Sequence, residues 1–317
     1  MQAARKYRQV TCPVHLPYPL RVHFTRTCVG FCVSGVLLAA LGFGFFGEPR
    51  SLQPTQQNAA AQTVPRVYLG FDRNDYPGDA ALPALRKTFS FAGYWLSNPP
   101  GENSNSWRGK RAAVAAQGFG FLLLSNGRLY RALKASGNPE LLGKRDASAA
   151  VAAARREGFP EGAIIFLDQE QGGRLLPEQR AFVHAWVDAI HAANFEAGIY
   201  CSGMPAMEDH GALVTTAEDV LRNSAGRKIV FFVYNDACPP SPGCATSQYP
   251  PSPASSGVPF AAIWQFAQSP RRKDVTSSCP PNYDADGSCY AQPHATGSPL
   301  YLDLDSATSA DPSNARR

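Results

Sequence analysis

Short apolar runs recur along residues 66–306, and most end at a carboxylate, an amide or a glycine. Val67-Tyr68-Leu69-Gly70-Phe71-Asp72 is the first, followed by Phe91–Leu96, Phe119–Leu124 and Ala163-Ile164-Ile165-Phe166-Leu167. Four more follow at Phe195–Cys201, Ile229–Tyr234, Ala261–Phe266 and Leu300–Asp305. Runs of this length without a polar alternate predict strands buried on both faces, as in a parallel sheet. Between them lie stretches with helical spacing. Ala80–Lys87 and the alanine-rich Trp107–Gln117 are two, and a third runs from an N-cap at Asp146 to Glu157 before the stop signals Gly158 and Pro160. A fourth starts at Pro177-Glu178 and carries Phe182, Trp186 and Ile190 on one stripe, and a fifth is near Ala217–Asn223. His184 and His191 on the fourth helix are expected at the surface or rim. Helices separate the first six strands, while Pro/Ser-rich irregular segments separate the last three. The pattern predicts an α/β fold: a modified TIM-like barrel of (β/α)5(β)3 form with a helix-poor end.

The remainder of the 317-residue chain divides differently. Residues 1–28 are basic, and residues 29–46 carry no charge at all. Together they have the pattern of a signal peptide h-region or a transmembrane anchor, with the basic end kept inside. Residues 47–65 read as a flexible stalk, and 66–317 as the barrel domain. The formal net charge of +5 comes from this leader. Removing its six cations and one acid from the totals of 30 and 25 leaves 24 of each in residues 66–317. A neutral body offers no nucleic-acid footprint. The barrel domain is therefore expected outside the cytoplasm, membrane-anchored or secreted after cleavage. Cysteine usage agrees with export. Cys238 and Cys244 flank one loop and Cys279 and Cys289 another, so each pair is expected to close locally, while Cys201 is expected as a buried free thiol. The run Arg271-Arg272-Lys273 is expected to be a solvated loop.

The chemistry-bearing residues sit at strand ends, where barrel enzymes keep their working groups. Asp72 ends the first strand, Asp168 and Glu170 end the fourth, and Asp303 and Asp305 end the eighth. Asp168 and Glu170 fall on the same side of an extended segment, about 6–7 Å apart along the backbone. Converging carboxylates are the equipment of glycoside hydrolysis, in which one acid protonates the leaving oxygen and another carries negative charge. The plainer reading makes Asp168 and Glu170 a helix cap and a rim salt bridge, and makes Asp72 and Asp303 partners of Arg73 or Arg174. No histidine accompanies the acids or the cysteine pairs at metal-binding spacing, so neither a metal nor a cofactor is expected.

The series Gly-Phe-Asp72, Leu-Asp168-Gln-Glu170, Ala-Gly-Ile-Tyr200, Trp264-Gln265-Phe266 and Leu-Asp303-Leu-Asp resembles the motif series of the family 25 lysozymes. More closely, it resembles the bacterial glycoside hydrolase-like barrel domains related to them. That resemblance implies a general acid at Glu170 and a carboxylate at Asp168 supporting the substrate's N-acetyl group or an oxocarbenium-like centre. It implies flanking acids at Asp72 and Asp303. Tyr200, Tyr234, Trp264 and Gln265 would then line the mouth as sugar contacts, and peptidoglycan or a related envelope polysaccharide would be the partner. The first loop, Asp72-Arg73-Asn74-Asp75-Tyr76-Pro77-Gly78, departs from the lysozyme pattern. This departure favours the alternative of a catalytically inactive carbohydrate-binding or structural module on the same barrel.

Overall fold

The structure, a computed structural model, describes residues 66–208, 211–246, 249–292 and 297–316. The basic segment, the apolar run 29–46 and the stalk lie outside the described residues. Among those described, no helix is long and apolar enough to cross a membrane.

Eight strands close a barrel. In chain order they are β1 (Tyr68–Asp72), β2 (Phe91–Trp95), β3 (Gly120–Asn126), β4 (Ile164–Asp168), β5 (Glu196–Ser202), β8 (Val230–Tyr234), β9 (Ile263–Ala267) and β11 (Leu300–Ala307). The remaining strands are outside it: β6 (Ala206–Met207) and β7 (Leu213–Val214) form a small hairpin, and β10 (Cys289–Ala291) pairs on the edge of β11. Pairing runs β1-β2-β3-β4-β5-β8-β9-β11 and closes through β11 onto β1. The helices are α1 (Leu82–Leu85), α2 (Arg111–Ala116), α3 (Tyr130–Ser136), α4 (Pro139–Glu157), α5 (Pro177–Ala192) and α6 (Thr216–Arg222). All six lie between the first six barrel strands, so the helix-poor ending is as expected.

Two features depart from the expectations. The barrel strands β1 to β5, β8 and β9 run parallel, but β11 is antiparallel to both neighbours, β9 and β1. Without a helix to carry the chain back across the barrel, it re-enters from the same end at which β9 left. Asp303 therefore lies near the start of β11, not at its exit, and Asp305 lies one layer deeper. The second departure is the helix expected to begin at Asp146. It starts instead at Asn138, whose side chain accepts from Leu141 N at 3.0 Å, and it is preceded by α3. Gly143 hides this helix from a sequence reading, because glycine weakens helical spacing. Here a Cβ at Gly143 would stand 2.4 Å from the Phe182 carbonyl oxygen, so glycine is what lets α4 approach α5. Asp146, freed from capping, pairs with Arg128.

On α5, Phe182, Trp186 and Ile190 are all fully buried. Burying an apolar side chain of this size contributes about 1.5–3 kcal/mol relative to exposure. The barrel floor is sealed by the chain after β11. Asp311 Oδ1 accepts from Phe121 N, Ser313 Oγ from Leu123 N and the Ser313 carbonyl from Ile164 N, each at 2.8 Å. The opposite end stays open, and the acids are there.

The disulfides cross between the two irregular segments. Cys238 bonds Cys279 and Cys244 bonds Cys289, against the expectation of two local closures. Because β9 and β11 leave and enter at the same end, the segments after β8 and after β9 lie side by side, and each bridge ties one to the other. Cys201 is free and buried, as expected.

Candidate active site

Register brings the acids together. Asp72 on β1 lies directly opposite Asp303 on the antiparallel β11, and Asp168 on β4 is level with Tyr200 on β5. Asp72, Asp168, Glu170, Asp303, Tyr200 and Gln265 all line one pocket of about 230 Å³ at the C-terminal ends of the parallel strands. Gly93 makes room for the first of them, since a Cβ there would lie 2.4 Å from Asp72 Cβ and 3.1 Å from its Cα. Gly93→Ala is expected to cost about 3 kcal/mol through overpacking. Chemical denaturation read by tryptophan fluorescence checks this figure.

A hydrogen-bond chain fixes the inner wall. Tyr200 O–H donates to Gln265 Oε1 at 2.6 Å, and Gln265 Nε2 donates to Asp72 Oδ2 at 2.7 Å. Burial pushes the Asp72 carboxyl up to about 6, with the Gln265 and Asp305 hydrogen bonds pulling against it. Below it, Asp305 is fully buried and accepts a hydrogen bond at neither oxygen. Its proximity to Asp72 is favourable only if Asp305 carries a proton to donate, and burial together with Asp72 and Asp303 holds it well above the carboxylate range. Asp303 is raised likewise by burial and by Asp72, although its Oδ1 accepts from Ser269 N at 2.6 Å.

The β4 pair is asymmetric. Asp168 is buried, and its Oδ1 has no hydrogen-bond partner. Burial, then Glu170, then Asp72 push it well above the carboxylate range. Glu170 is exposed at the rim, yet the surrounding protein withdraws enough water to raise its carboxyl too. Neither is a helix cap or a rim salt bridge. The Glu170 segment is held from behind, where Tyr234 O–H donates to the Glu170 carbonyl at 2.9 Å. The Arg272 guanidinium lies 5.3 Å above the Tyr234 ring and pairs with the fully buried Asp236. Arg272 is thus a structural clamp and not part of a solvated loop. Tyr234 supports the site from outside the pocket.

Trp264 does not reach the pocket. It is fully buried, and its indole N–H donates to the Asn235 carbonyl at 2.9 Å. Adjacent residues of a strand face opposite ways, so with Gln265 pointing inward, Trp264 packs outside the barrel wall. Two other tryptophans matter instead. The indoles of Trp95 and Trp107 both donate to the Arg73 carbonyl at 3.2 Å, and Trp107 also to the Asn74 carbonyl at 3.1 Å. Arg73, Asn74 and Glu102 also line the pocket, as does Tyr301. Arg174 pairs with Glu208 and Asp219, so it is no partner of Asp72 or Asp303.

The raised acids carry a pH signature. A carboxyl raised on folding contributes stability that is present below its unfolded value of 3.8 and is lost as pH rises through its folded value, here about 6 for Asp72. Wild type is therefore expected to lose stability relative to Asp72→Asn between about pH 4 and 7, by on the order of 3 kcal/mol. Paired denaturation curves at stepped pH measure that difference.

Fold and site together define a modified TIM-like barrel with an acid-lined pocket at its open end. Residues 86–216 match the model of the "Rv2525c-like, glycoside hydrolase-like domain" family, a stretch that is less than half of the chain but holds Asp168, Glu170 and Tyr200. The resemblance legible in the motif series is supported by this match. None of the curated protein sequences matches significantly. Among solved structures, an uncharacterized B. stearothermophilus protein is 19% identical with a TM-score of 0.47, covering 75% of this chain and 94% of its own. The Mycobacterium tuberculosis Tat-secreted protein Rv2525c is 13% identical with a TM-score of 0.42, covering 76% and 95%. The Clostridium perfringens spore cortex lytic enzyme SleM is 14% identical with a TM-score of 0.43, covering 77% and 68%.

Proposed function

We propose that this protein is an exported glycosidase that cuts peptidoglycan or a related envelope polysaccharide, with Glu170 as general acid and Asp168 as the stabilising carboxylate. The observation that carries the reading is the β4 pair itself. A buried acid with an unpartnered oxygen and a rim acid with a raised pKa share one pocket. A general acid works best with its pKa raised toward working pH, and burial raises the Glu170 carboxyl in that direction while it stands where a glycosidic oxygen can approach from solvent. Burial, Glu170 and Asp72 hold Asp168 toward its neutral form. A positive centre developing on the sugar favours its ionised form, so its negative charge is available when the transition state needs it. The two acids interact and titrate as a pair. Asp72 and Asp303 keep that pair's surroundings acidic, and Tyr200 and Gln265 hold Asp72 in place. Two disulfides in the barrel domain support an oxidising compartment.

The test is release of reducing ends by the full chain from purified peptidoglycan and from a panel of other bacterial glycans. Release from at least one, with kcat/KM falling on the alkaline side as the acid form of Glu170 is lost, is the expected result. No release from any glycan, with sugar binding still measurable, would favour the binding-module reading to which the altered first loop points.

A further inference from the structure

Arg73 is the one Lys, Arg or His among the described residues lining the acid pocket. Its Nε and Nη1 are buried without a hydrogen-bond partner. It forms no ion pair with any of the acids around it; its guanidinium instead lies 5.2 Å over the ring of Tyr301, a residue half exposed at the mouth. Leaving buried donors unmade costs about 1–3 kcal/mol each, and this cost is borne at a position that the structure takes trouble to fix. Trp95 and Trp107 pin the Arg73 carbonyl, Trp107 also pins that of Asn74, and Asn74 Nδ2 donates to the Pro100 carbonyl at 3.2 Å. The backbone behind the guanidinium is therefore anchored at two residues, Arg73 and Asn74, by four hydrogen bonds.

We propose that Arg73, backed by Tyr301, is a subsite for a carboxylate carried on the sugar of the substrate. The inference rests on the glycan-cleaving reading for its location and deepens it by naming the substrate class, an acidic glycan. A guanidinium offers parallel N–H donors that match a carboxylate two-to-two, and the stacked tyrosine leaves one ring edge for a sugar. Deep in the pocket, burial and mutual proximity keep Asp168 and Asp303 toward their neutral forms and so weaken their repulsion of such a ligand, while Asp75 and Glu102 line the same pocket. Two sugars supply this chemistry, a muramic acid whose lactyl group carries no stem peptide and a uronic acid through the carboxylate on C5.

The experiment is calorimetric titration of the full chain carrying Glu170→Gln, so that binding is read without turnover. The probes are N-acetylmuramic acid and glucuronic acid, each beside its methyl ester. At least one acid is expected to bind about tenfold more tightly than its ester. That ratio should fall to near one in Arg73→Gln and be partly kept in Arg73→Lys. Which acid shows it identifies the source of the carboxylate. Equal binding of acid and ester by both sugars, or an acid preference that survives Arg73→Gln, overturns the proposal. A merely structural Arg73 would lower thermal stability in both variants without moving the acid-to-ester ratio. Failure here with glycan cleavage intact removes only the subsite, whereas acid preference without cleavage removes only the hydrolase reading.

Discussion

Glu170→Gln is expected to lower kcat by about 10²–10⁴ while leaving the fold and glycan binding in place. Glutamine keeps the shape of the side chain and removes the proton that a leaving oxygen needs. Glu170 is exposed and makes no side-chain ion pair among the described residues, so the substitution frees no buried partner there, and circular dichroism should superimpose on wild type. The pH dependence separates this effect from simple damage. In wild type, kcat/KM should fall with rising pH as the raised Glu170 carboxyl ionises, and that limb should vanish from the residual activity of the variant. A variant that keeps both the rate and the limb would move the acid role to another residue.

Replacing both Cys244 and Cys289 by serine is expected to cost about 3 kcal/mol, the chain-entropy figure for a closed loop of about 15 residues. The two cysteines are 45 residues apart in sequence, but the retained Cys238–Cys279 bridge shortens the connection between them to about that length. Its loss should also be felt at the pocket. The segment it ties down includes Ser269, whose N–H donates to Asp303 and whose hydroxyl accepts from Cys289 N at 2.8 Å. Denaturant midpoints report the stability loss. Peptide mapping under non-reducing conditions should find Cys238 linked to Cys279 and Cys244 to Cys289; peptides cross-linked within a single loop would contradict the arrangement.

Most of the eight barrel strands were legible because they are apolar runs buried on both faces, as β2, β4 and β9 are throughout. The helix-poor ending was legible for the complementary reason, since Pro/Ser-rich segments lack helical spacing. The direction of β11 was not, because a short apolar run reads the same in either orientation and only its connection decides. The cysteine pairing was hidden for a related cause: four cysteines allow three pairings, and the choice depends on two loops meeting in space. Alternation along β9 did contain the answer for Trp264, because a strand that points Gln265 into the pocket must point Trp264 out of it. Arg73 was visible as a departure from the lysozyme pattern. Its buried, unpaired donors depend on Trp95 and Trp107, which arrive from a neighbouring strand and from the loop ahead of α2.

The central claim is that a glycan is held and cut at the pocket formed by Asp168 and Glu170. The most direct test is a crystal structure of the Glu170→Gln protein with a peptidoglycan fragment. The account predicts a sugar ring seated against Asp168, with its glycosidic oxygen within hydrogen-bonding reach of residue 170. A fragment bound elsewhere on the barrel, with the acid pocket empty, would contradict it.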